Sequence, residues 1–429
     1  MKTITPFIFA LLLITSCTQQ ASIDTTAVLS EAAAADAGMS EERLMRIDAM
    51  LIEAIEQEQI PGAVALVARN GKIVYHKAFG MADNEADRSQ QGDDIFRIAS
   101  QTKAITSTAV MMLWEEGKFN LDDPISRYIP EFENAVIFES INEADSSFTG
   151  TPASGSITIR HLLTHTSGIG YGMIDDDNFR KIYQKAGIID AFTTEEVNIE
   201  ENIKKLARLP LHHDPGAKFT YGEGLDVLGY LIEIVSRMPL DQFFKERIFD
   251  PLGMEDSYFY LPESKMDRLV PVQTKKDRAW TKYPGNPYFD ADYPIKGAKS
   301  FFSGGGGLSS TAKDYACFLQ MYLNNGEYNG VRLLSRTTVQ TIMSNQVGDL
   351  LGESGSYYGL AFGVLDENGA GMGGRSSVGT FEWGGYFNTQ YFADPVENVI
   401  GILMKQTQDT WSDETGWKFR LLVGQAIDD

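Results

Sequence analysis

The chain has 429 residues, 43% hydrophobic and 22% charged, so it can bury a sizeable core in two or three domains and is not globally disordered. Lys and Arg number 37 against 59 Asp and Glu, a formal charge of −22 that repels phosphate backbones and argues against a nucleic-acid partner. Two cysteines, Cys17 and Cys317, are too few for a disulfide framework and wrongly spaced for a structural zinc site.

Lys2 precedes an apolar run, Pro6 to Ile14, that has signal-peptide length and is too short to span a membrane. Ile14-Thr15-Ser16-Cys17 resembles the lipobox of bacterial lipoproteins, whose cysteine is acylated and becomes the new N-terminus. The resemblance implies a signal peptide over 1–16 and a lipidated tether over 17–38, rich in Ala, Ser, Thr and Gln. It also implies a bacterial membrane anchor, with the protein facing the periplasm or the cell exterior.

Ser40 followed by Glu41 and Glu42 predicts a helix start, and Leu44, Ile47, Leu51 and Ile55 recur at helical spacing. Two strand-like runs follow, AVALVAR and KIVYHKAFG, joined by Asn70-Gly71, a type I′ hairpin signal. The middle reads as helical over 100–116, 159–164, 223–236 and 240–248, with polar insertions around 133–156 and 175–200. Gly304–Gly307 precede a helix over 310–323. Strands return over 377–383, 388–393 and 398–406, and a last helix covers about 413–426. Strand material at both ends can form one antiparallel sheet carrying the terminal helices. The expectation is an α+β protein with a discontinuous sheet domain, 39–98 and 295–429, and an inserted helical domain, 99–294.

Ser100-Gln-Thr-Lys103 opens the helix that continues AITSTAVMMLW. Residues three apart share a helix face, so the serine hydroxyl and the lysine amine can meet. Serine is a weak nucleophile that needs an adjacent base, and a desolvated lysine can supply it. The helix N-terminus adds free N–H groups where an oxyanion would form. A second S-x-x-K, Ser310 to Lys313, has a structural explanation, because Thr311 and Asp314 read as a capping box.

In its context the Ser100 motif resembles the serine β-lactamase-like family of class C β-lactamases, D-Ala-D-Ala peptidases and esterases. The similar segments, in order, are FRIASQTKAIT, GKFNLDDPISRYIPEF, TIRHLLTHTSGI, PGAKFTYGEGLDVLGYLIEIVS, DPLGMEDSYF, GGGGLSSTAKDYACFLQMYLNNG and FEWGGYFNTQYFADP. The resemblance implies a cleft between sheet and helices, with Ser100 as nucleophile, Lys103 as motif lysine and Tyr221 as proton shuttle. Bare Y-x-N spacing also fits Tyr322 to Asn324 and Tyr386 to Asn388; only the flanking PGAKF selects Tyr221. Glu223 stands where relatives carry Asn or Ser. It could hold Lys103 cationic, recognise a basic substrate group, or cap the next helix. The family's strand-edge K-T-G is here Trp383-Gly384-Gly385, followed by Tyr386, whose N–H would join that of Ser100 at the oxyanion. Losing that lysine argues against β-lactams and peptide C-termini.

His161-x-x-x-His165 lacks a following Glu and reads as structural; His212-His213-Asp214 reads as a loop that could line the cleft, and Gly304–Gly307 as a loop with backbone freedom. No G-x-S-x-G occurs, which removes an α/β-hydrolase elbow. The sequence therefore reads as a serine hydrolase forming an acyl-enzyme on a small ester or amide, favouring neutral esters and needing no metal or cofactor. A β-lactamase or D-amino-acid peptidase, and a non-catalytic binder of the same fold, are the alternatives.

Overall fold

The computed structural model describes residues 28–286, 289–374, 376–408 and 412–429; the expected signal peptide and Cys17 lie outside the described residues. Asn70 and Gly71 both take left-handed backbone, with φ of 53° and 74°, which turns β2 (Gly62–Arg69) into β3 (Lys72–Asp83). These strands lie in a nine-stranded sheet with β1 (Ser30–Glu31), β4 (Arg88–Ser89), β5 (Ser356–Tyr358), β6 (Gly363–Leu365), β7 (Phe381–Gly384), β8 (Gln390–Asp394) and β9 (Val399–Met404). Its order is β1-β3-β2-β9-β8-β7-β6-β5, with β4 on β3. The two ends of the chain meet at β9 and β2, paired antiparallel from Val399–Arg69 to Met404–Val64.

Every residue of β2 is buried because both faces are covered. Alternation sends Ala63, Ala65 and Val67 to helices α1 (Glu41–Glu56) and α6 (Thr415–Gln425), against Leu44, Leu51, Phe419 and Val423. Val64 and Leu66 face the opposite way, into the core that contains Ile105 and Ala109 of α2 (Thr102–Glu115) and Phe318 of α5 (Ala312–Leu323). The same core takes in Leu162 of α3 (Ile159–Leu163) and Leu228 of α4 (Gly224–Ser236), so sheet and helical segment share one interior.

Several local readings are corrected. Residues 28–38, expected within the tether, belong to the fold: Ser30–Glu31 pair parallel to Lys72–Ile73, and Arg69 holds the carbonyls of Ala37 and Gly38 at 3.1 and 2.8 Å. The polar insertion near 133–156 is a hairpin of Val136–Asn142 and Ser147–Pro152. That near 175–200 contains a helix, Asp177–Ala186, capped by Asp176. Strands β5 and β6, absent from the sequence reading, widen the sheet beyond β7.

Candidate active site

Ser100 stands in a 3₁₀ turn, Ala99–Gln101, that winds into α2. Ala99 before it is fully buried with φ of +44°, a left-handed conformation costly for alanine and held by its surroundings. One turn on, Lys103 is fully buried, and its Nζ lies 3.2 Å from Ser100 Oγ, 3.0 Å from Tyr171 Oη and 2.7 Å from the Gly305 carbonyl. These three contacts fix the lysine nitrogen beside the nucleophile. Tyr171 was not singled out from the sequence and Gly305 only as part of a glycine loop; no local pattern ties either to the lysine they touch, 68 and 202 residues away.

Asp226, on the first turn of α4, accepts from Ser303 Oγ and the Gly305 N–H and so fixes the peptide that receives Lys103. Burial pushes its carboxyl up, while the Ser303 bond and the charge of Lys103 pull it down. The glycine run is explained by close approach, not by backbone freedom. Gly304 and Gly305 are not left-handed, and a Cβ would fall 2.5 Å from the Leu225 carbonyl and 2.1 Å from Asp226 Oδ2 respectively.

The Tyr221 ring lies beneath Lys103, with Nζ 4.7 Å from its centroid. It packs 4.4 Å from the His165 ring and 5.8 Å from Trp383, whose Nε1 is 3.5 Å from the Tyr221 hydroxyl, the outer limit of a hydrogen bond. His165 Nδ1 accepts from the Gly222 N–H at 3.2 Å, and burial lowers the imidazole pKa so that it stays neutral. His161 instead closes a capping box with Thr158. His212 stacks on Phe179 and bonds Asp175, and His213 bonds Thr220; neither lines the cleft. In the second S-x-x-K, Thr311 caps α5 through the Asp314 N–H, while Ser310 bonds Ser257.

Glu223 is where the sequence reading needs most correction. Its backbone carbonyl starts α4, but its side chain makes no cap and is not among the groups lining the cleft. The carboxyl is buried, and burial, then Asp190, Asp226 and Asp175, push its pKa well above the ordinary value. The carboxyl is thereby held towards its neutral form, with neither oxygen in a hydrogen bond, so it is poorly suited to counterbalance Lys103 or to offer a charge to a substrate.

Trp383, Gly384, Gly385 and Tyr386 reach the nucleophile from β7. A Cβ on Gly385 would fall 2.4 Å from the Ile98 carbonyl, so only glycine lets this strand end close on the chain entering Ser100. The turn that follows is clamped. Asn388, at φ of +73°, donates to Asp413 Oδ2 at 2.7 Å and Thr407 Oγ1 at 3.0 Å, and Gln408 donates to the Tyr386 carbonyl at 2.7 Å. Asp413 in turn pairs at 2.5 Å with Lys405, both buried. Ser100 and Tyr221 border a cleft of about 850 Å³, and Ser100, Tyr171 and Tyr386 a second cavity of about 40 Å³.

The Beta-lactamase family model matches residues 47–425. The chain is 31% identical over 406 residues to esterase EstB of Burkholderia gladioli, covering 90% of this chain and 94% of that protein. It is 28% identical over 382 residues to the lovastatin esterase of Penicillium rubens, covering 83% and 91%. Among solved structures, EstCE1, a hydrolase with promiscuous acyltransferase activity, superposes with a TM-score of 0.76 at 25% identity, covering 91% of this chain and 99% of that one. With a half-buried serine and a fully buried lysine one helical turn apart beside the end of β7, and a family match over most of its length, this chain belongs to the beta-lactamase family.

Proposed function

We propose that this protein is a serine esterase, exported and lipid-anchored through Cys17, that hydrolyses neutral carboxylic esters through an acyl-enzyme. The carrying observation is the desolvated Lys103 amine 3.2 Å from Ser100 Oγ, with Tyr221 against it. Ser100 Oγ attacks the ester carbonyl as its proton passes to the Lys103–Tyr221 pair. The N–H groups of Ser100 and Tyr386 hold the oxyanion. Collapse expels the alkoxide, which takes the proton back through Tyr221. Water, deprotonated by the same groups, then attacks the acyl-serine and releases the acid.

Trp383 and the cleft's charge balance support an ester over a lactam. A β-lactam or peptide C-terminus brings a carboxylate whose burial needs a cation. Trp383 occupies the position of the family's lysine, and Arg420, the cation among the described cleft-lining residues, already pairs with Glu382. The names of EstB and the lovastatin esterase agree with this reading.

A fluorophosphonate probe should label Ser100 and not the Ser100→Ala variant. Short-chain 4-nitrophenyl esters should then show far higher kcat/KM than penicillins, cephalosporins or D-Ala-D-Ala peptides. Efficient cephalosporin hydrolysis with poor ester turnover would overturn the esterase reading. For the anchor, Cys17→Ala should abolish incorporation of labelled fatty acid in a bacterial host; a protein unlabelled despite Cys17 refutes it.

A further inference from the structure

The cleft at Ser100 continues past Gly384 and Gly385 into a groove between β7 (Phe381–Gly384) and α6 (Thr415–Gln425). Alternation puts Glu382 and Gly384 on the face turned to α6 and Trp383 on the other. Gly384 is the doorway: a Cβ there would meet the Thr389 carbonyl at 3.3 Å and nothing else within 4 Å, so a side chain would stand in the passage. Beyond it the walls are Phe392, Trp417 and Leu421. The charges between them cancel, because the Arg420 guanidinium pairs with Glu382 and lies 5.0 Å over the Phe392 ring. At the outer end Trp417 is 59% exposed, with Lys418 Nζ, paired to Glu414, 5.7 Å from its ring centroid.

A volume of about 850 Å³ exceeds what a short ester fills and falls in the range, roughly 300–1,000 Å³, of sites that enclose drug-sized ligands. Among the described residues, apolar walls, an internally neutralised ion pair and continuity with the nucleophile select an uncharged occupant joined to the scissile ester. We infer that the groove binds a bulky apolar or aromatic group of the ester, carried on its acyl or its alkoxy side. This rests on the esterase reading and adds a substrate class to it.

The test uses the purified full-length protein and three substrates. 4-Nitrophenyl acetate is the reference, 4-nitrophenyl 2-naphthylacetate carries the bulk on the acyl side, and 2-naphthylmethyl acetate carries it on the alkoxy side. For each bulky ester the readout is its kcat/KM divided by that of the reference. Leu421→Trp, which fills the groove, should lower this ratio about tenfold or more in the arm that uses it, mainly through KM. Trp417→Ala removes an exposed wall and leaves the fold standing; it should lower the same ratio by about threefold or more. The arm that responds assigns the acyl or alkoxy side. Ratios unchanged in both arms and both variants, with acetate still turned over, overturn the groove assignment alone. Failure to hydrolyse any ester overturns the esterase reading, and the groove assignment with it.

Discussion

Glu223→Gln tests whether an uncharged acid stands behind the Tyr221 turn. In the folded protein burial and three carboxyl neighbours raise the Glu223 pKa well above its ordinary 4.5. Unfolded, the side chain ionises near that ordinary value. Folding therefore takes up a proton above pH 4.5. The stability this group contributes is fully present below that pH and is lost as pH rises through the folded-state value. The limiting slope for one proton is about 1.4 kcal/mol per pH unit, so up to about 2.7 kcal/mol separates pH 5 from pH 7. Glutamine keeps the volume but has no proton to lose. Urea unfolding of both proteins at pH 5, 6 and 7 should show the parent losing stability relative to the variant by about 1–3 kcal/mol over that range. Taking the difference cancels Asp314, itself raised to about 6 by burial. A difference that is flat, or that grows in the parent's favour with pH, would mean Glu223 is ionised in the fold.

The clamp on the strand-end turn gives a second expectation. Asn388→Gly tolerates the φ of +73° but loses the bonds to Asp413 and Thr407; kcat for 4-nitrophenyl acetate should fall about tenfold or more with KM little changed, and an equal rise in KM would place the defect in binding. Tyr171→Phe removes one of the three Lys103 Nζ partners and should cost about tenfold in kcat/KM, against about 10²–10⁴-fold for Tyr221→Phe. The reverse order in steady-state kinetics would exchange their roles. Gly305→Ala puts a Cβ 2.1 Å from Asp226 Oδ2 and 2.9 Å from Tyr171 Oη, displacing the carbonyl that receives Lys103. Acyl-enzyme formation should then slow by about a hundredfold in stopped-flow traces, and near-normal acylation would show that carbonyl to be dispensable.

Much of the fold can be read along the chain because its causes are short-ranged. The Asn70-Gly71 turn, the Ser40 and Thr311 caps and the periodic burial of α1 depend on residues within four positions of one another. The Ser100–Lys103 contact is of the same kind: one helical turn brings the two side chains within 3.2 Å. Strands β5 and β6 escape this reading because three residues are too few to show an alternation. Residues 28–38 escape it because a polar, alanine-rich stretch is ordered here by backbone pairing to β3 and not by side chains of its own.

The chemistry around that contact depends on partners that are close only after folding. Gly305 receives the Lys103 amine across 202 residues, and Tyr171 joins it across 68. A glutamate after Tyr-Gly reads as an anion, yet burial of Glu223, with Asp190 and Asp226 beside it, pushes its carboxyl towards the neutral form. Ionisation follows the summed field and solvation of everything nearby, and a linear sequence holds neither. Residue types, helix phase and turn chemistry are local and survive in the order of the letters; proton positions and the long groove beyond Gly384 arise where distant segments converge and exclude water.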